Sequence, residues 1–460
     1  MEKLPLEILA QWAWGKIIGN NKDMEITGIC SDSRSIAPGE IFLPLVGEKF
    51  DGHDYIDNAI DNGATAYITA GPVSEENPDI PAIKVDNTLK AYHNIAKIYR
   101  KTLKGNVIAI TGSNGKTTTK EMIAQLLSKK FNIVANEKNF NNEIGVPRTV
   151  MNINANTEIL ITELGMRGRR QIRELSEIVE PDVAVITNIG EAHFELLGSY
   201  QAIAEAKVEI FDGMNPLGTA ILNADDRWYS YCSQHGPSSQ VTFGIKNPAD
   251  IQLLEKTSQG FDGYKLKVKI GNKHHKIKLK LLGEHNIYNA LAAVAVAHVM
   301  GMSGNVIAQE LGQVEPPDKR MEIIETRKGY HIINDTYNAS PSSSRQALDI
   351  LRELPSAGKK IAVLGDMLEL GEIEKKSHQL VGVHLFEKGI KTLYTLGNLG
   401  REIAGGAIIA GMDQKDIHVF ENRDELIAEL KQEVKENDVV LIKGSRRMKM
   451  EEIAESLKNE

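Results

Sequence analysis

The stretch Val107-Ile108-Ala109-Ile110-Thr111-Gly112-Ser113-Asn114-Gly115-Lys116-Thr117-Thr118 decides how this chain folds. Val107 to Ile110 form a short apolar run, read as a buried strand. A glycine-rich turn follows, then a helical pattern from Lys116 to Lys130. Strand, glycine turn and helix in that order make a phosphate loop. The N–H groups of the turn and of the helix N-terminus point at phosphate oxygens. On this reading Gly112, Ser113, Asn114, Gly115, Lys116, Thr117 and Thr118 bind a nucleotide. Lys116 reaches its terminal phosphates, and the Thr117 hydroxyl ligates Mg2+. The longer G-x-x-x-x-G-K-[ST] form would place glycine at position 110, where this chain has Ile110, so the loop is a short subtype.

Outward from the loop, Ile159-Leu160-Ile161 and Val183-Ala184-Val185-Ile186 read as parallel strands of the same sheet. Glu163 closes the first, a position that suits a second Mg2+ contact. His193 lies just past the second, where a metal reading competes with an ordinary structural histidine. Lys207, in Glu205-Ala206-Lys207-Val208-Glu209, reads by itself as a surface lysine on a helix. Tyr264 to Ile270 and Lys276 to Leu281 alternate strictly around Gly271-Asn272, a hairpin with a solvated lysine face. An apolar helix runs from Ile287 to Met302, opened by His285-Asn286-Ile287-Tyr288-Asn289. His285 and Asn289 share a helix face. Asparagine both donates and accepts, which suits an adenine edge. The competing reading is that Asn286 caps the helix.

Pro316-Pro317 halts helix and strand alike and marks a boundary. Beyond it, strands at Ile361–Leu364, Thr392–Thr395 and Val439–Ile442 alternate with helices in a doubly wound pattern. Polar residues cluster at strand ends: Lys319 to Glu322, Asn334 to Pro341, Gly365 to Glu369 and Lys443 to Arg447. Such ends line ligand clefts in open α/β sheets. Before the phosphate loop come short strands and a helix from Asp54 to Asn62. The expected fold is therefore α/β with three domains. Residues 1–104 form a small α/β domain, 105–317 a central parallel-sheet domain with the phosphate loop, and 318–460 a Rossmann-like domain.

Composition sets limits on partners. Among 460 residues, 54 Lys and Arg face 62 Asp and Glu, a formal net charge of -8. That balance argues against nucleic acid, whose binding rests on cationic neutralisation of phosphates. Two cysteines, Cys30 and Cys232, build neither a disulfide framework nor a zinc site and read as reduced thiols of a cytoplasmic protein. No signal peptide and no membrane span is expected.

Taken in order, Thr111 to Thr118, Glu163, Asn188 with His193, Lys207, His285 to Asn289, Arg320 and Asp335 resemble the Mur ligase family over essentially the whole chain. The resemblance implies an ATP-dependent amide ligase that acts through an acyl phosphate, with two Mg2+ sites. It implies that CO2 carbamylates Lys207, giving an anionic oxygen ligand for the second Mg2+ alongside His193. Asn286 and Asn289 would hold adenine with His285, and Arg320 and Asp335 would contact the nucleotide. Ser31-Asp32-Ser33-Arg34 and Asp51-Gly52-His53 look like the family's UDP-sugar site.

Within the family, Lys138 to Pro147, Asp335 to Pro341 and Lys443 to Arg446 point to the member that uses UDP-N-acetylmuramoyl-tripeptide and D-alanyl-D-alanine. Asn141, Asn142, Tyr337, Asn338, Ser340, Lys443, Ser445 and Arg446 would contact these substrates. The D-N-P-R motif of the diaminopimelate-adding relative is absent. The chain is expected to act as a monomer. A regulatory GTPase, the reading from another class, would carry an N-K-x-D motif in the central segment, which has none.

Overall fold

The computed structural model describes residues 1–19, 23–47, 49–73, 79–137, 140–191 and 194–459, with the side chains of Phe194 and Glu195 excepted. The central sheet has nine strands. Asn106–Thr111 lies within it, parallel to Ile159–Glu163 on one side and to Val183–Ile186 on the other. From Thr111 the chain enters the helix Lys116–Leu127, reaches the edge strand Ile133–Ala135, and returns to Ile159–Glu163. The next strand, Val183–Ile186, is added on the opposite side, followed by Thr219–Asn223 and Ser239–Gly244. Strand order thus reverses at Asn106–Thr111. In open α/β sheets the crevice at such a reversal is where ligands bind, and the phosphate loop occupies it.

The period-two alternation of a strand divides Asn106–Thr111 between two cores. Val107 and Ala109 pack with Leu160, Ala184 and Ile186. That core continues into the N-terminal domain through Ile68 and Ile83 of its sheet and Tyr92 and Tyr99 of the helix Thr88–Arg100. Ile108 and Ile110 face the other way, toward Ile161, Val185 and the apolar helix Glu284–Val299.

The N-terminal sheet runs Lys16–Ile18, Ala82–Lys84, Ala66–Thr69, Glu40–Phe42, Gly28–Cys30. The C-terminal sheet runs Glu322–Glu325, His331–Asp335, Val439–Lys443, Lys360–Gly365, Thr392–Leu396, Ile417–Phe420. Only its first pair is antiparallel. Insertion of Val439–Lys443 between His331–Asp335 and Lys360–Gly365 brings three strand ends together.

Several element ends differ from expectation. The phosphate-loop helix stops at Leu127, because the Leu127 carbonyl accepts from both Lys130 and Phe131 in a closing turn. The early helix begins as a 3-10 turn at Gly52–Tyr55, capped by the Asp51 side chain, and becomes α-helical over Ile56–Asp61. The second hairpin strand is Lys273–Leu279, starting directly after the two-residue turn Gly271-Asn272. The apolar helix starts at Glu284 with Gly283 at its cap, so Asn286 is not its capping residue. Among the described residues no helix is long and apolar enough to cross a membrane. Cys30 and Cys232 are both free thiols.

The C-terminal sheet docks on the central domain through a few contacts. Phe261 stacks on His331 with ring centroids 3.9 Å apart. Leu282, which precedes the apolar helix, is buried in the C-terminal core with Ile333, Ile350 and Leu351. Replacing Leu282 by alanine leaves a cavity at that junction and is expected to cost about 2–4 kcal/mol. Urea unfolding followed by circular dichroism checks this. A midpoint equal to that of the unmodified protein would contradict the docking role.

Candidate active site

Two glycines let the phosphate loop close. Gly112 has φ +147° and Gly115 φ +80°. A Cβ on Gly112 would lie 2.0 Å from Thr187 Oγ1, and one on Gly115 2.3 Å from Asn289 Oδ1. The end of the neighbouring strand grips the loop. Ser113 N donates to Asn188 O at 2.9 Å. Asn114 N donates to Asn188 Oδ1 at 3.0 Å, and Asn188 Nδ2 returns a bond to Asn114 O at 2.9 Å. Gly190 N donates to Ser113 Oγ at 2.7 Å. Thr118 is buried just behind the loop. Lys116 Nζ folds back over the loop, donating to Gly112 O at 2.9 Å and Ser113 O at 3.2 Å. Burial, and then the charge of Arg320, lower its pKa, while Glu163 opposes them.

Glu163 is 2% exposed at its strand end. Its Oε2 accepts from Thr117 Oγ1 at 2.7 Å and its Oε1 from Asn141 Nδ2 at 2.8 Å. The hydroxyl and carboxylate expected to share a cation are thus already side by side. Asn142 is engaged elsewhere, where its Oδ1 accepts from Gly145 N at 2.9 Å at the start of the helix Gly145–Met151. Lys138, Asn139 and His193 lie outside the described residues.

Lys207 is not the surface lysine that its helix suggests. It sits on Tyr200–Val208, fully buried, and among the described residues its Nζ has no hydrogen-bond partner. Burial, and next the charge of Lys116, hold its pKa well below the ordinary lysine value, against the pull of Glu163 and Glu209. Neither flanking acid is free to pair with it closely. Glu209 accepts from the backbone N–H groups of Arg170 and Arg173, and Glu205 from Gln201 Nε2.

On the apolar helix, Asn289 Oδ1 accepts from Thr119 Oγ1 at 3.2 Å and Asn289 Nδ2 donates to Asn286 Oδ1 at 2.9 Å. Asn286 Nδ2 donates to Leu282 O at 2.7 Å. Both amides are buried, and Asn289 packs against Gly115 of the phosphate loop. Beside them, Asp225 accepts from the N–H groups of Ile245, Lys246 and Asn247 and from Tyr288 Oη. His285 has its pKa lowered to about 4 by burial, with Asp335 and Lys443 acting on it from across the cleft.

The C-terminal strand ends converge there. Lys443 Nζ pairs with Asp335 Oδ2 at 2.6 Å and donates to Asn338 O at 2.9 Å. Arg320 lies over the Tyr337 ring at 3.9 Å and Arg446 at 5.7 Å, so the ring has a guanidinium from each of two loops. Ser445 Oγ accepts from Leu368 N at 2.8 Å. Ser340 caps the helix Pro341–Glu353. In the N-terminal domain Asp32 chelates Arg34 through both its carboxylate oxygens, and Arg34 projects into solvent. Ser31 is exposed and Ser33 buried. His53 Nδ1 meets Asp51 Oδ1 at 2.6 Å while its Nε2 accepts from Ala70 N at 3.1 Å, and Gly52 is buried between them.

Sequence reasoning gave Thr187, Thr119, Asn136 and Asp225 no role. Each is a polar residue at or near a strand end or on the loop helix, which was the available signal. Asn188 is singled out in the sequence only by the family pattern.

Three family models match this chain: Mur ligase family, catalytic domain, over 25–100; Mur ligase middle domain, over 110–297; and Mur ligase, glutamate ligase domain, over 319–446. The UDP-N-acetylmuramoyl-tripeptide--D-alanyl-D-alanine ligase of Bacillus subtilis is 39% identical over 433 residues, 94% of this chain and 93% of that protein. The ligase of the same name from Escherichia coli is 33% identical, covering 95% and 94%. A crystal structure of MurF from Acinetobacter baumannii superposes with a TM-score of 0.91 at 30% identity over 100% of both chains. MurF from Thermotoga maritima in complex with ADP gives 0.83 at 28% identity, covering 94% and 97%.

The Lys207 amine makes a prediction about stability. Its pKa is lower in the folded chain than in the unfolded one. Between the two values unfolding takes up a proton, so stability falls as pH falls through that window. Methionine fills similar space without that liability. In CO2-free buffer Lys207→Met is expected to melt higher than the unmodified protein at neutral pH. The gain should shrink as pH approaches the ordinary lysine value of 10.5. A variant that melts lower at neutral pH would contradict an unpartnered amine.

Proposed function

The chain belongs to the Mur ligase family, and from that premise we infer its reaction: it joins D-alanyl-D-alanine to UDP-N-acetylmuramoyl-tripeptide with hydrolysis of ATP, a step of peptidoglycan synthesis. The observation that carries the assignment is the end-to-end match, at up to 39% identity, to ligases named for that reaction. The site supports it, because the phosphate loop and Glu163 lie at neighbouring strand ends with Lys207 within reach of their charges, and Arg320, Asp335 and Lys443 of the C-terminal domain act on Lys116 and His285.

We propose the following chemistry. The tripeptide's terminal carboxylate oxygen attacks the γ-phosphorus of ATP, and ADP leaves. The acyl phosphate that results is attacked at its carbonyl carbon by the dipeptide amine. The C–N bond forms as the amine loses its proton, and phosphate departs. In the first step two anions meet, so positive charge must lie where negative charge accumulates. Lys116 leaves its own loop carbonyls to take phosphate oxygens, and the loop N–H groups hold the rest.

Mg2+ would be held by Thr117 and Glu163, with His193 and a carbamylated Lys207 at a second site, and would offset phosphate charge when bound. The donors fit a hard cation, since Thr117 and Glu163 supply oxygens. Lys207 fits too: a desolvated neutral amine is the form that attacks CO2, forming the N–C bond and releasing a proton.

Asn286 and Asn289 wall the adenine side. Arg320 approaches the phosphates from the C-terminal domain, with Asp335 behind it. Asn338, Ser340, Tyr337, Lys443, Ser445 and Arg446 frame the dipeptide, while Asn141 and Asn142 frame the tripeptide. Ser31 to Arg34 and Asp51 to His53 take the UDP sugar. Division of the chain near Lys104 and Pro317, action as a monomer and a cytoplasmic location complete this reading.

Acceptor choice tests it. With UDP-N-acetylmuramoyl-tripeptide and ATP, ADP release is expected with D-alanyl-D-alanine and not with L-alanine, D-glutamate or lysine. Efficient use of a single amino acid would overturn the assignment.

A further inference from the structure

Lys120 lies one helical turn beyond Lys116, and nothing in the chemistry above uses it. The side chain is 1% exposed. Burying an ammonium is strongly unfavourable unless it is paired and hydrogen-bonded. Lys120 Nζ meets a Glu121 carboxylate oxygen at 2.8 Å and donates to Asn136 O. An apolar side chain would fill the same space without the desolvation penalty, so the directional bond to Asn136 is what the lysine adds.

Asn136 is also 1% exposed, at the end of the strand Ile133–Ala135. Its backbone N donates to Ile161 O at 3.2 Å. Its Oδ1 accepts from Glu163 N at 2.9 Å, and its Nδ2 donates to Phe140 O at 3.2 Å. Asn141 comes next and donates to Glu163 Oε1 at 2.8 Å. Asn136 therefore holds Glu163 from two directions. It holds the backbone directly and the carboxylate through Phe140 and Asn141. Lys120 anchors Asn136 itself.

We propose that Lys120 is a positioning residue, acting through Asn136 to aim the Glu163 carboxylate at the divalent cation bound with the nucleotide. The proposal rests on the reading of Glu163 as a ligand. Without the ammonium, the Asn136 carbonyl loses its side-chain donor and the Glu163–Asn141 pair loses part of the support that fixes its geometry. A merely structural lysine would lower the melting temperature and weaken all binding alike.

Calorimetric titration of ADP into the full-length protein, with Mg2+ and again in EDTA, separates these roles. The ratio of the two affinities is the gain contributed by the metal. Lys120→Met is expected to cut that gain about tenfold, as loss of an outer-shell partner does, and to leave the affinity in EDTA unchanged. Glu163→Gln should remove the gain, and adding Lys120→Met to it should cost nothing more. An unchanged gain in Lys120→Met while Glu163→Gln loses it would overturn the proposal and leave the Glu163 reading standing. An unchanged gain in Glu163→Gln would overturn both. Further loss in the double variant would also overturn the proposal. Should Lys120→Met fail to fold, Asn136→Ala tests the link from Asn136 to Glu163, since it removes the side-chain bonds to Glu163 and Phe140 and keeps the carbonyl that Lys120 meets; an unchanged metal gain there would overturn the proposal.

Discussion

A lysine amine stripped of water and given no hydrogen-bond partner stays charged only against a heavy electrostatic penalty. At Lys207 the nearby charge of Lys116 adds to it. The surrounding structure maintains this condition. Glu209 spends its carboxylate on the backbone at the start of the helix Gln171–Val179, and Glu205 is held by Gln201. On the reading proposed above, a neutral amine at this place would capture CO2, and the carbamate would turn an uncharged site into an anionic one. A hard cation bound beside the phosphate loop would then gain an oxygen ligand that an unmodified lysine cannot supply.

The C-terminal domain completes that environment. Arg320 reaches far enough toward the loop to depress the pKa of Lys116, and Asp335 and Lys443 act on His285 from the opposite wall. Arg345 approaches Glu191 at 4.0 Å across the same cleft. The acyl phosphate proposed above would hydrolyse readily in water, and a site built from two domains would enclose it.

Much of this was legible in the sequence. Val107 to Ile110 and Lys116 onward set out strand, loop and helix, and the reversal of strand order places that loop in the ligand crevice. Glu163 and the convergent ends at Asp335 and Lys443 followed from their positions after apolar runs. Lys207 was not legible from spacing. Its helix carries charged residues on both sides, and only tertiary packing removes the water; the family resemblance was needed to single it out. Asn142, Asn286 and Ser340 show the converse. Each was read as a ligand contact, and each also has a local bond in the fold: Asn142 and Ser340 at helix starts, Asn286 to the Leu282 carbonyl. Which partner a short polar side chain takes depends on distances that spacing alone does not give. Element ends at Leu127, Gly52 and Lys273 shifted for the same reason, since side-chain caps and turn bonds decide them.

Carbon-13 NMR of the intact protein equilibrated with 13C-bicarbonate tests the proposed Lys207 carbamate directly. The account predicts a single carbamate resonance that is lost in Lys207→Met. Its absence from the unmodified protein, or its persistence in Lys207→Met, would contradict the claim that the buried amine works as a carbamate.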